Sequence, residues 1–104
     1  MKTRDLESKT TISLKCKKGL KPVVIQEWLE SERGWGTRPD GYSLHKDGNS
    51  RAEFIKDYWK KMPEAVPDEY SRPCGEPTTA YVDKATYTKV TKSKNGIWTR
   101  ENIT

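Results

Sequence analysis

Hydrophobic and polar positions alternate from Thr10 onward: Ile12, Leu14 and Cys16 are separated by Ser13, Lys15 and Lys17. A period of two is that of a half-buried strand, and it predicts one near 10–17. Lys18-Gly19-Leu20-Lys21-Pro22 then reads as a turn. The run Val23-Val24-Ile25-Gln26-Glu27-Trp28-Leu29 admits two readings. Its consecutive β-branched residues after a turn favour a strand over 23–29, pairing back onto 10–17. Val24, Ile25, Trp28 and Leu29 also fit one face of a helix with Pro22 at its first position and Gly34 as its stop.

Tyr42-Ser43-Leu44-His45 predicts a short strand near 42–46, ended by Asp47-Gly48-Asn49. The period then changes. Phe54, Ile55, Tyr58, Trp59 and Met62 recur at helical spacing, so a helix over 51–62 carries an aromatic stripe inward and stops at Pro63. Asn49 or Ser50 would cap it, Ser50 and Glu53 having the Ser-x-x-Glu spacing of a capping box. Pro63, Pro67, Pro73 and Pro77 argue against helix or central strand and predict an extended loop over 63–77, kept ordered by Tyr70 and Val66. Thr79-Ala80-Tyr81-Val82 predicts a strand over 79–82. Asp83 can cap a second helix, 84–94, with Ala85, Tyr87, Val90 and Thr91 inward and Asn95-Gly96 as its stop. Ile97-Trp98 reads as a closing strand or docked tail. Together these elements predict an α+β fold: a small, mainly antiparallel sheet with two helices packed on one face.

Length and composition narrow the picture. With 104 residues the chain makes one domain, 10–104, behind a frayed basic arm over 1–9. Leu, Ile, Val and Phe number only 16, but four Trp and five Tyr supply apolar area, so the expectation is a folded domain with a thin core. Such a core would gain from burying Trp at a homodimer interface. No apolar run reaches membrane-spanning length, and Met1-Lys2-Thr3-Arg4-Asp5 does not lead into the apolar stretch of a secretion signal. These features predict a soluble, cytoplasmic protein without membrane partners. In that compartment Cys16 and Cys74 are expected as free thiols. With one histidine they fall short of a structural zinc site, and neither metal nor cofactor is expected.

The net charge of +5 is unevenly spread. Residues 1–22 sum to +5, residues 23–83 to −4 and residues 84–104 to +4. If the termini meet, Lys15, Lys17, Lys18, Lys21, Lys84, Lys89, Lys92 and Lys94 merge into one phosphate-attracting surface. The excess of Lys over Arg there suits diffuse attraction better than base readout.

Candidate chemistry is densest in Gly34-Trp35-Gly36-Thr37-Arg38-Pro39-Asp40-Gly41-Tyr42-Ser43-Leu44-His45. A loop of this composition can set backbone N–H groups and Arg38 against a phosphate while Trp35 or Tyr42 stacks on a ring. It matches no known phosphate-loop pattern. The same residues also make a tight hairpin, with Gly36 and Gly41 at positive φ, Asp40 capping the turn, Trp35 plugging the core and Arg38 paired with a nearby acid. Downstream, Arg72-Pro73-Cys74-Gly75 repeats the Arg-Pro-x-Gly frame of Arg38-Pro39-Asp40-Gly41. Loops facing each other would let Arg38 and Arg72 clamp one anion among Trp35, Tyr42 and Tyr70. Alternatively, each arginine pairs locally with Asp40, Asp68 or Glu69. His45 is the one candidate acid–base group, with Asp47, Glu53 and Asp57 as available partners; no catalytic motif accompanies it.

The segment 34–45, with Val66-Pro67-Asp68-Glu69-Tyr70-Ser71-Arg72-Pro73 downstream, resembles short proteins of bacteriophages and bacteria to which no activity is attached. The resemblance spans roughly residues 28–98. It implies a phage setting, in which small proteins bind host factors, nucleic acid or signalling nucleotides. The sequence reading ranks first a non-enzymatic binder of an anionic nucleotide-like ligand, using Trp35, Arg38, Asp40, Tyr42, His45, Tyr70 and Arg72. A nucleic-acid regulator acting through the terminal lysines and a module that modulates a host protein are the alternatives.

Overall fold

The computed structural model describes residues 11–32, 36–62, 69–101 and 103–104. The predicted arm 1–9, Trp35 and the first part of the proline-rich segment lie outside the described residues. Among the described residues five strands form one antiparallel sheet: β1 (Ile12–Ser13), β2 (Lys21–Glu32), β3 (Gly36–His45), β4 (Glu69–Val82) and β5 (Ile97–Thr99), in the order β1-β4-β2-β3-β5. Two helices among the described residues accompany the sheet, α1 (Gly48–Lys61) and α2 (Lys84–Lys92). The α+β class follows the sequence pattern, and the 23–29 ambiguity resolves to strand.

The two helices do not share a face. Ile12, Val23, Ile25, Leu44, Ala80 and Val82 form one core layer with Val90 of α2. The opposite side chains of the same strands, Trp28 and His45, meet Phe54 of α1 at ring-centroid distances of 6.2 and 4.9 Å. The reason lies in β2, where Val23-Val24-Ile25 offers apolar side chains to both faces, the mark of a strand covered on both sides.

Other expectations are corrected in extent. The strand predicted at 10–17 is only Ile12–Ser13; beyond it Leu14 is exposed, its backbone N–H bonded to the carbonyl of Thr104. The hairpin arm of β3 runs from Gly36, so residues 36–41 are strand and not loop. Residues 69–77, expected as loop, belong to β4 despite Pro73 and Pro77. Among the described residues the outer side of β4 is paired only at Tyr81 and Val82, so both prolines fall where β4 is an edge strand and the ladder loses nothing by a missing N–H. At Gln26 the β2–β4 register jumps from Ile25↔Thr78 to Glu27↔Cys74. The buried Gln26 amide fills this bulge: Nε2 lies 2.9 Å from the Cys74 carbonyl and 3.2 Å from that of Gly75, and Oε1 accepts from Arg51 Nε of α1 at 2.7 Å.

Both helices are capped by aspartate. Asp47, three residues ahead of the expected Ser50, accepts the Ser50 backbone N–H at 2.8 Å, which holds its carboxyl below the usual carboxylate range. Asp83 accepts from Thr86 N at 2.8 Å and from Thr11 N at 2.7 Å, tying α2 to the start of β1. Helix α2 ends at Lys92, two residues short of the expected 94, and buries Thr86 and Val90 with Ala85 outside.

Candidate ligand site: an aromatic cleft

The α1 face of the sheet carries the polar and aromatic side chains of alternate strand positions: Gln26 and Trp28 from β2, Ser43 and His45 from β3, Trp98 from β5. Trp28 is fully buried and its indole N–H donates to Ser43 Oγ at 2.8 Å. Ser43 Oγ lies 2.8 Å from His45 Nε2, and His45 Nδ1 lies 2.7 Å from the carbonyl of Asn95. A carbonyl only accepts, so Nδ1 carries the proton, Nε2 accepts, and the Ser43 hydroxyl donates to it. The directions agree along the whole chain, and no buried polar side-chain atom among the described residues lacks a partner. Burial lowers the pKa of His45, outweighing the bond to Asn95, and the nearby Arg51 charge lowers it further.

A serine hydroxyl bonded to an imidazole is the geometry of an activated nucleophile. Here both side chains are fully buried, and the Trp28 N–H occupies Ser43 Oγ. The pair builds the floor of a site instead of its reacting surface.

Above that floor, Phe54, Asp57, Tyr58 and Lys61 of α1 face Lys94, Asn95, Gly96 and Trp98 across a cleft of about 310 Å³. Trp98 leans on Trp28 at 4.6 Å and on Phe54 at 5.3 Å, yet remains 39% exposed. Tyr58 closes one end, donating to the Ser71 carbonyl at 2.6 Å and accepting its N–H at 3.1 Å. Burial raises the Tyr58 pKa and Asp40 adds to the effect, so the phenol stays protonated. The result is a slot walled by aromatic rings and lined also by the Lys61 and Lys94 ammonium groups and the Asp57 carboxylate.

The residues singled out in the sequence lie elsewhere. Arg38 pairs with Glu30 at 2.8 Å, and Arg72 Nε approaches Ser31 Oγ at 3.4 Å. Their partners across β2 are Glu30 and Leu29, consecutive positions that point to opposite faces, so the two arginines do not converge on one anion. Gly36 has the positive φ of +88° expected of the hairpin. Gly41 does not; its missing Cβ is required because one would lie 2.8 Å from the Thr99 carbonyl. Asp40, bulged out of the β2–β3 register, accepts from Ser71 Oγ at 2.6 Å and from Arg100 Nη2 at 3.2 Å. Asp40 and Tyr42 line a second, more polar hollow with Arg100 and Glu27. Tyr70 touches Trp59 edge-on at 6.3 Å, and His45 lies under the cleft wall with both ring nitrogens engaged. Among the lysines, Lys21 lies opposite Val82 beside Lys84, whereas Lys94 belongs to the cleft.

Sequence reasoning missed the cleft because the stripe of α1 reads as core and Trp98 as tail. Its one visible signal is a tryptophan two residues after Gly96, within reach of an aromatic helix. Cys16 and Cys74 are free thiols, and no helix among the described residues is long and apolar enough to cross a membrane. Compared with models of protein families, with curated proteins and with solved structures, the chain matches none.

Proposed function

We propose that this chain is a small, non-enzymatic binding protein that holds an anionic, nucleotide-like ligand in the cleft between α1 and the Asn95–Trp98 segment. The observation that carries the reading is Trp98, an indole braced from behind by Trp28 and Phe54 but left open toward a slot with Lys61 and Lys94 at its rim. A braced, exposed indole is a stacking surface whose conformational entropy has already been spent. The two ammonium groups supply attraction for a phosphate, and Asp57 can accept from a ring N–H or amino group. The cleft volume sits at the lower end of the ~300–1,000 Å³ typical of small-molecule sites, which suits one base with its sugar phosphate.

Titration calorimetry with adenosine, guanosine and uridine monophosphates tests the proposal. Saturable binding is expected, weakened at least about tenfold by Trp98→Ala and a few-fold by Lys61→Ala or Lys94→Ala. Binding that survives Trp98→Ala and disappears in Arg38→Ala would return the site to the Arg-Pro hairpin. Binding confined to DNA and steeply weakened by salt would favour the terminal lysines around Lys21 and Lys84.

A further inference from the structure

Lysines from both halves of the chain meet where β4 ends. Ser13 of β1 lies opposite Tyr81 on one side of β4, and Lys21 of β2 lies opposite Val82 on the other. The chain between them, closed by a bond from the Leu20 N–H to the Lys17 carbonyl, therefore has both ends fixed beside Asp83 and the start of α2. This sets Lys15, Lys17, Lys18 and Lys21 around the entrance to α2, and all four are exposed. Helix α2 continues the same charge. Thr86 and Val90 turn to the core, which leaves Lys84, Lys89 and Lys92 on the solvent side, and the helix holds no acid.

Among the described residues none of these seven ammonium groups makes an ion pair or a hydrogen bond. Two acids stand near them. The Asp83 carboxylate is taken up by the N–H groups of Thr11 and Thr86, and Glu101 shares a hollow with Lys89. Like charges so placed repel one another in the protein alone, and a polyanion removes the repulsion. The groups on offer select the polyanion. Lysine is a point charge suited to phosphate and lacks the planar fork that reads base edges. The exposed rings that could stack on unpaired bases, Trp59 and Trp98, belong to α1 and to the face it covers, whereas Tyr87 of α2 packs on the core. A lipid surface would draw on apolar side chains to insert, and Leu14 is the one large exposed aliphatic residue among those described. A duplex asks for none of these and presents phosphate at the highest density, about one charge per 1.7 Å of its axis.

We infer that the turn ending at Lys21 and the outer face of α2 form a docking surface for double-stranded nucleic acid, gripped through its phosphates and without regard to base sequence. Helix α2 covers the opposite face of the sheet from the cleft, so this surface stands independently of what the cleft holds. DNA and RNA duplexes present the same phosphate chemistry to it.

The test follows fluorescence anisotropy of a short labelled DNA duplex of mixed sequence, the RNA duplex of the same sequence and one DNA strand alone, titrated with the full chain. Contact with roughly four phosphates would weaken duplex binding about a hundredfold between about 50 and 200 mM salt. The triple variant Lys84→Ala, Lys89→Ala, Lys92→Ala is expected to bind duplex at least about tenfold more weakly and with a shallower salt dependence. A control triple, Lys46→Ala, Lys56→Ala, Lys60→Ala, loses the same net charge from exposed positions outside this surface and should lose far less affinity. Neither triple removes a residue that lines the cleft, and melting temperatures show that both are folded. The tighter of the two duplexes identifies the kind of nucleic acid. Equal losses in the two triples would reduce the effect to net charge and overturn the surface. No duplex binding at 50 mM salt, tighter binding of the single strand, or binding to phosphatidylserine vesicles without binding to duplex overturns it as well.

Discussion

Gly96 packs against the imidazole of His45: a Cβ on Gly96 would collide with His45 Nδ1 and come within 2.7 Å of the Leu44 carbonyl. Together with the bond from His45 to the Asn95 carbonyl, this contact fixes the Asn95–Gly96 wall of the cleft to the buried chain Trp28–Ser43–His45. The floor of the site is thus a hydrogen-bond network whose last member is the site's own backbone.

Gly96→Ala is expected to cost about 2–4 kcal/mol, because the φ of +147° is unfavourable for any residue with a Cβ and the imidazole has no room to retreat. Urea denaturation measures the loss, and nucleotide affinity should fall with it. A stable Gly96→Ala protein would show that the wall is not held against His45.

Ser43→Ala removes both the acceptor of the Trp28 N–H and the donor to His45 Nε2, leaving two buried polar groups unpaired. The expected cost is about 2–4 kcal/mol. Loss of the Trp28 hydrogen bond should also change the near-ultraviolet circular dichroism of the indole.

Stability should fall as the solution is acidified from neutrality. His45 has a folded pKa below its ordinary value of 6.5, so near and below pH 6.5 the unfolded chain takes up a proton that the native protein refuses. The contribution is present above pH 6.5 and is lost as the pH falls from there through the lowered native value. The capping carboxylates Asp47 and Asp83, also lowered, act only below their ordinary value of 3.8. Thermal melts across pH 5 to 8 in wild type and His45→Gln separate the two windows: the slope between pH 7 and pH 5 should flatten in the variant.

Much of the fold is written in local pattern. The aromatic spacing of Phe54, Tyr58 and Met62 gives α1, Asp83 gives the start of α2, and Val23-Val24-Ile25 gives β2. What misleads is chemistry whose meaning depends on position in the sheet. Pro73 and Pro77 break a central strand and are harmless on an edge, and the sequence does not say which strand is the edge. The Ser50–Glu53 spacing imitates a capping box one turn inside the helix that Asp47 caps. The segments rich in arginine, glycine and aromatics that the composition singles out do not converge on one anion, because Arg38 and Arg72 are separated by the alternation of β2. The cleft is assembled from α1 and β5, distant in sequence, and only strand order brings Trp98 over Trp28.

Gln26→Glu probes the β4 bulge without changing side-chain shape. A carboxylate would set oxygen against the carbonyls of Cys74 and Gly75 that the amide now satisfies. The expected destabilisation is about 2–3 kcal/mol at neutral pH, relieved as the acid is protonated. Denaturation midpoints at pH 7 and pH 4.5 check the sign, against wild type to remove the His45 contribution.

Calorimetric titration of the wild-type protein, Trp98→Ala and Arg38→Ala with a nucleoside monophosphate at physiological ionic strength decides whether Trp98 is the stacking surface. One saturable site is expected in wild type and Arg38→Ala alike, with affinity reduced at least about tenfold in a folded Trp98→Ala protein. Unchanged binding in Trp98→Ala, or none in wild type, would contradict that role.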